Sequence, residues 1–508
     1  MGRKTDKTAT AVALWRIVAA VIVLLVGAGI FCWKTNSLKP TPAYDITEIL
    51  PTCTENGYRL YRNRNTGETS VRDISAALGH RFSTWSVRQP VGALSCGLQV
   101  RTCEICNLEE QQIIYPELTV ACLGIEGDLN GIGKKSEVPV DVHFVSENLA
   151  FDCYGTIKHQ GHSSLQYDKK NFTLKLFQDE GRTEKNKIVL EHWNKENKFI
   201  LKANYTDPSQ CRNLVCADIW ADMCKSRDGL SPRLKALANC GALDGFPIAL
   251  YISGEFHGLY TMNLHKDDDL FGMEDGEQAA IMILNGGEAE EAKFRAIPAF
   301  AEDSPWEVEY CGTEDATWAQ EQLSELFHFV MNSDDTAFRK ELHTQLDVPS
   351  AIDYLLAIYT LGLQNSGTKD VVLVTYEEAP WIASLYDMEN AFGLHQDGNG
   401  YDPADQFLPQ CIDGRWDSGT GSLLWDRLLQ NFEPEIRSRY QALRQTVFTQ
   451  EGLCERVLAF MDGIPDMLYE AEQEQNSKTP LDVSQSEQIT TYIVQRLQVL
   501  DCIFGEEG

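Results

Sequence analysis

The spacing of hydrophobic and polar positions changes character several times along the chain. An uninterrupted apolar run, "IVAAVIVLLVGAGIFCW" at 17–33, follows a basic start containing Arg3, Lys4, Lys7 and Arg16. With its flanking Ala and Leu residues the run is just long enough to span a bilayer. Positive charges ahead of it keep the N-terminus cytoplasmic and place the rest of the chain outside. No convincing small-x-small cleavage site follows before Lys34, so residues 1–35 read as a cytoplasmic tail and an uncleaved anchor, with a cleaved signal peptide as the rival because the run is short, and 36–50 as a polar, Pro-containing linker.

From residue 116 the pattern becomes that of an α+β domain running to 508. "VPVDVHFV" (138–145), "DCYGTIKHQG" (152–161), "KNFTLKLF" (170–177) and "NKFILKANY" (197–205) read as strands. "DPSQCRNLVCADIWADMCKS" (207–226) has helical spacing, with Asp207 or Ser209 as cap and Pro208 early in the first turn. "FPIALYISGEFHGLYTMNL" (246–264) is a hairpin turning at Ser253-Gly254-Glu255. The remainder reads as helices at 317–332, 334–345, 350–363, 422–446 and 453–474, interrupted by the hairpin "VVLVTYEEAPWIASLY" (371–386). A strand-rich half followed by a helical half, with polar loops at the join, implies two lobes around a cleft.

A hydrophobic content of 43% and ten Trp supply sizeable cores. The 75 acidic residues outnumber 44 basic ones, a net charge of −31 that repels phosphate backbones and argues against nucleic acid as a partner. Divalent cations and basic protein segments suit that surface better. There is no Gly-x-Ser-x-Gly, His-Glu-x-x-His or Walker lysine motif. Of fifteen cysteines, Cys32 lies in the apolar run; the even remainder suits an oxidising compartment, although Cys216 and Cys224 sit too far apart on one predicted helix to pair.

Residues 51–115 contain two short units that resemble each other, one starting at Cys53 and one at Cys96. The second carries Cys103-x-x-Cys106, where the first has Asn63 and Thr66. The pair is similar to a Cys-x-x-Cys/Gly-His repeat of surface proteins from anaerobic Gram-positive bacteria. Zinc can use Cys96, Cys103, Cys106 and His80; the same cysteines suit disulfides, and the favoured reading is a spacer or wall-contact module.

The chemistry centres on three places. Gly161, Ser163 and Ser164 form a turn between strands that offers N–H groups and hydroxyls to phosphate oxygens, with Lys169 and Lys170 behind it. Lys202 ends a strand directly before a helix, the position from which a kinase lysine grips nucleotide phosphates. That helix has no Glu to partner the lysine, so Asp218 or Asp222 takes the role or the pairing differs. Finally, "GLQNSGTKD" (362–370) and "DMENAFG" (387–393) flank the second hairpin. In a kinase layout the first loop positions the acceptor hydroxyl and the acidic pair holds metal.

These residues, in the blocks "QGHSSLQYDKKNFTLKLF", "KFILKANYTDPSQCRNLVCADIW", "GALDGFPIALYISGEFHGLYTMNLHKDDDLFGM", "KDVVLVTY" and "YDMENAFG", resemble the spore-coat protein H (CotH) kinases, an atypical kinase-like family. The resemblance implies a two-lobed, ATP- and Mg²⁺-dependent protein kinase. It makes the turn at Gly161, Ser163 and Ser164, with Lys175 and Lys202, the nucleotide-binding set. It assigns Lys369 to the catalytic loop, Asp387 and Glu389 to the metal, and Asp370 to a metal position held by Asn in the family. The catalytic Asp of the family falls on Asn365, or on Gln364 if the loop carries one extra residue, and neither amide accepts a proton. Two readings follow: an outward-facing, membrane-anchored kinase acting on Ser/Thr of surface or coat proteins, or a nucleotide-binding or wall-associated relative without a base.

Overall fold

A computed structural model describes residues 44–505, apart from 162, 378, 396–399, 401, 405–406 and 477–485. The anchor expected at 17–33 lies outside the described residues, among which no helix is long and apolar enough to cross a membrane. The chain divides into two compact units, one of residues 1–85 with Arg101–Glu110, the other of Ser86–Val100 with Gln111–Gly508.

The smaller unit contains an antiparallel sheet of Tyr44–Ile49, Gly57–Asn63 and Thr69–Ser75. Its strands are largely exposed; among the described residues of the unit, those buried are Cys53, Gly57 and Cys103. Gly57 is needed sterically, because a Cβ there would meet Pro51 at 2.5 Å.

The larger unit starts with a closed barrel ordered Asn171–Phe177, Lys198–Lys202, Glu255–Leu264, Gly245–Ile252, Ala121–Glu126, Val138–Val145 and Ala150–Gln160. In Val138–Val145 every second residue (Val138, Val140, Val142, Phe144) is buried, which is the alternation visible in the sequence. Closure depends on the parallel pairing of Gly245–Ile252 with Ala121–Glu126. It leaves no sheet edge open. The hairpin turns where expected, with Ser253 and Gly254 both left-handed at φ 50° and 77°, as a two-residue turn between twisted strands requires.

A second, four-stranded antiparallel sheet runs Trp306–Cys311, Ala279–Leu284, Val371–Tyr376, Ile382–Leu385. Here the structure corrects the sequence reading, which placed only the last two strands. Every residue of Ala279–Leu284 and Val371–Tyr376 is buried. A strand covered on both faces carries no alternation to read.

Among the helices, Arg212–Lys225 begins later than expected: Pro208 precedes it, and the Asp207 carboxylate accepts the Arg212 N–H at 3.0 Å. The single helix expected at 453–474 is two, Gln450–Asp462 and Asp466–Gln475. They part at Gly463-Ile464-Pro465, where proline restricts the residue before it and cannot donate to the preceding turn. One apolar core is continuous from the barrel (Leu123, Leu174) through Trp220 to the second sheet (Ile281, Leu373) and the helices (Leu355, Trp425). No disulfide joins any of the described cysteines. Cys211, Cys216, Cys224 and Cys240 instead pack in this core as small hydrophobes.

Candidate functional site

The barrel and the second sheet meet at one charged cluster. Lys202 ends its barrel strand, while Asp370 immediately precedes Val371–Tyr376 and Asp387 follows Ile382–Leu385. Val371 lies opposite Leu385 in the ladder, so antiparallel pairing delivers both aspartates to the same end of the hairpin. The Lys202 ammonium donates to Asp387 Oδ1 at 2.5 Å and to Glu389 Oε2 at 3.2 Å. Lys369 Nζ lies 3.6 Å from Asp370 Oδ2. Both aspartates hold left-handed backbone, φ 58° at Asp370 and 59° at Asp387. This conformation is uncommon for non-glycine residues and concentrates where function requires it.

The surroundings divide the charges unequally. Burial opposes the Lys202 charge, but Asp387 and Glu389 outweigh it and hold the lysine well above its usual range. Burial would also raise Asp387, yet Lys202 brings it below an ordinary aspartate. Glu389 is raised, burial prevailing over Lys202. Asp370 is pushed up to about 7 by burial and by the Asp387 charge, against the pull of Lys369 and Lys202.

The 387–393 segment is held from behind by residues to which the sequence reading gave no role in the site. Asn213 Oδ1 accepts the Met388 N–H at 2.9 Å, and the buried Arg212 donates to the Ala391 carbonyl at 2.9 Å while pairing with Asp207. The available signal was an arginine opening an apolar helix, a position where burial demands partners.

Several expected residues are placed elsewhere. Asp218 and Asp222 do not face Lys202; both pair with Arg456, and Lys202 takes its partners from the 387–389 segment instead. Lys175 sits opposite Lys198 in the ladder, four residues from Lys202, or roughly 13 Å along the strand, and is paired with Glu137 at 2.7 Å. The structure therefore separates Lys175 from the cluster. Lys169 is buried against Glu472, and Lys170 donates to the carbonyls of Leu165 and Tyr167 in its own turn.

The Gly161 turn does approach the cluster. Gly161 has φ 107°, and a Cβ there would run into Ser164 Oγ at 2.0 Å. Ser163–Gln166 forms a short 3₁₀ turn, with Ser163 exposed and Ser164 half-buried. Asn171 ties the turn down, donating to Ser164 Oγ at 3.3 Å and accepting the Ala203 N–H at 2.7 Å, next to Lys202. Tyr167 stacks on Tyr205 and is close enough to Glu389 to feel its charge. In the opposite loop, Gln364–Gly367 is a 3₁₀ turn whose Asn365 carbonyl accepts the N–H groups of Thr368 and Lys369. The Gln364 side chain is exposed and that of Asn365 half-buried, and neither amide group makes a hydrogen bond among the described residues.

The family model described as "CotH kinase protein" matches residues 157–500. The chain belongs to the CotH kinase family. No curated protein matches it. The match contains the whole cluster and Arg212 and Asn213, and it excludes the smaller unit. The CotH assignment implies ATP and Mg²⁺, and the donor set fits both. Asp370, Asp387 and Glu389 offer only carboxylate oxygens, the ligands a hard cation takes. Lys202 and the turn at Gly161 offer donors to phosphate.

Proposed function

We propose that the chain is a CotH-type protein kinase that transfers phosphate from ATP to Ser or Thr hydroxyls of surface or coat proteins, anchored by residues 17–33 with its domains outside the cell. The observation that carries the catalytic part is the convergence of Lys202, Asp387, Glu389 and Asp370 where two sheets meet. Asp387, Glu389 and Asp370 would hold magnesium, while Lys202 and the turn of Gly161, Ser163 and Ser164 would hold phosphates. Bound magnesium supplies neutralisation of charge on the phosphoryl oxygens. Lys202, already fixed between two carboxylates, needs little reordering to meet an anion, and Lys369 offsets the third acid.

A second reading, a nucleotide-binding relative without catalysis, draws on the amides at 364 and 365, where a proton acceptor is required. Both readings need nucleotide binding. The detergent-solubilised chain is expected to bind ATP with Mg²⁺ by calorimetry. Asp387→Ala should weaken that binding by at least the roughly 10–100-fold that loss of a supporting partner costs a metal site. Because Asp370 keeps its proton up to about 7, a cation competes with that proton, and affinity should rise from pH 6 to pH 8 and then level off. Equal binding by parent and Asp387→Ala would remove the nucleotide from the proposal. The anchor has its own check. The chain should sediment with membranes and lose residues beyond 50 to protease added to intact cells, whereas a shortened soluble form starting after Trp33 would replace the anchor by a signal peptide.

A further inference from the structure

In the smaller unit, four side chains from distant parts of the sequence converge. Cys53 Sγ lies 3.8 Å from Cys103 Sγ, and Cys106 Sγ lies 3.4 Å from His80 Nδ1. All four ligand atoms fall within 4.8 Å of one another. Tetrahedral zinc, with bonds of about 2.3 Å to sulfur and 2.0–2.1 Å to nitrogen, sets ligand-to-ligand edges of roughly 3.4–3.8 Å. A disulfide brings its sulfurs to about 2.05 Å, and it would leave one thiol and the imidazole without a role. We propose that Cys53, His80, Cys103 and Cys106 bind one zinc ion as a closed, structural Cys₃His site.

The backbone brings the ligands together. Leu78 and Gly79 donate N–H bonds to the carbonyls of Thr52 and Cys53, setting His80 beside Cys53. Glu104 donates to the Arg81 carbonyl, and Phe82 bridges Cys103, which brings the Cys-x-x-Cys turn to the same place. The turn itself occurs twice. At 103–107, Asn107 N–H meets the Cys103 carbonyl at 2.9 Å with Asn107 left-handed at φ 62°. At 63–67, Gly67 N–H meets the Asn63 carbonyl at 2.8 Å with Gly67 at φ 73°. In the first turn Asn63 Oδ1 accepts the N–H groups of Asn65 and Thr66. In the second, the Cys103 sulfur takes the equivalent place. The backbone N–H groups of Cys106 and Ile105 and the His80 ring face that sulfur. Backbone donors aimed at sulfur favour a thiolate, the form that ligates metal. Three sulfurs and one imidazole in a tetrahedral set select zinc over harder cations.

The site also accounts for the stability of the unit. Among its described residues only Cys53, Gly57 and Cys103 are buried, two of them ligands, so these residues form almost no apolar core. Small modules of that kind rely on a metal or a disulfide. The sequence expectation of Cys96 as a ligand is corrected: Cys96 packs in the larger unit against Val120, Cys122, Tyr251 and Leu259.

Full-length chain expressed with zinc and dialysed against a weak chelator is expected to hold one zinc per chain by emission spectrometry. Cobalt in its place should show thiolate charge-transfer bands and the intense visible bands of a tetrahedral site, a readout on the parent chain that does not depend on any variant folding. Cys106→Ser and His80→Ala should lose the metal, and Cys96→Ser should keep it. A metal-free parent chain without a cobalt spectrum, undiminished zinc in Cys106→Ser, or a Cys53–Cys103 disulfide by mass spectrometry would each overturn the proposal.

Discussion

Glu472→Ala is expected to destabilise the larger unit by about 3–5 kcal/mol, the usual cost of leaving one member of a buried ion pair alone. Lys169 and Glu472 are 2.8 Å apart, with side chains only 2% and 9% exposed. The ammonium also donates to the carbonyls of Ala203 and Leu259 and lies over the Tyr260 ring at 4.3 Å. Glu472 returns the connection, accepting the Leu259 N–H at 2.7 Å and an N–H of Asn476 at 2.9 Å. Helix Asp466–Gln475 is thereby fixed to the barrel strand Glu255–Leu264. Alanine removes three hydrogen bonds and strands a cation that burial already disfavours. Glu472→Gln keeps acceptor and shape and should fall between alanine and the parent. The double variant Lys169→Met with Glu472→Leu should recover most of the loss, because no charge is left buried. Thermal unfolding followed by circular dichroism reads the effect as a fall of roughly 3–6 °C for the alanine variant. A fall of less than a degree would show that the pair carries no such load.

The sequence announced the parts that repeat locally and was silent on the parts that do not. Val138–Val145 buries one face of its strand, so alternation betrayed it; Ala279–Leu284 buries both and looked like any apolar run. Barrel closure rests on Ile248 meeting Ala121, a pairing across more than a hundred residues that leaves no local trace. In the charged cluster, residue type and order point to Lys202, Asp387 and Glu389, which the fold brings together, while a kinase layout points to the following helix for the partner of Lys202. The fold supplied it from the hairpin, leaving Asp218 and Asp222 to Arg456. Cys96 lies near Cys103 in sequence, yet it packs in another core, and Cys53 takes the place expected for it beside Cys103.

Asn365→Asp is expected to raise phosphate transfer, to the chain itself or to a basic test protein, by up to the roughly 10²–10⁴-fold that a positioned general base contributes. The substitution is nearly isosteric. The turn is held by the Asn365 carbonyl, which accepts from Thr368 and Lys369, so the backbone does not depend on the side-chain amide. The new carboxylate would join three acids already near the cluster, with Lys369 beside Asp370 to offset part of the repulsion. If Gln364, whose side chain is exposed, is the true counterpart of the family base, Gln364→Asp should give the gain and Asn365→Asp should not. A third outcome assigns the proton to Asp370, the carboxylate of this loop that reaches the cluster and titrates at about 7. Asp370→Asn would then abolish transfer in the parent, and neither added aspartate would help. Transfer of labelled γ-phosphate, run beside calorimetric ATP binding, separates these cases. Should every variant bind nucleotide and transfer nothing, the kinase reading fails and the nucleotide-binding reading stands, because positioning and charge are then present without a chemical step for them to serve.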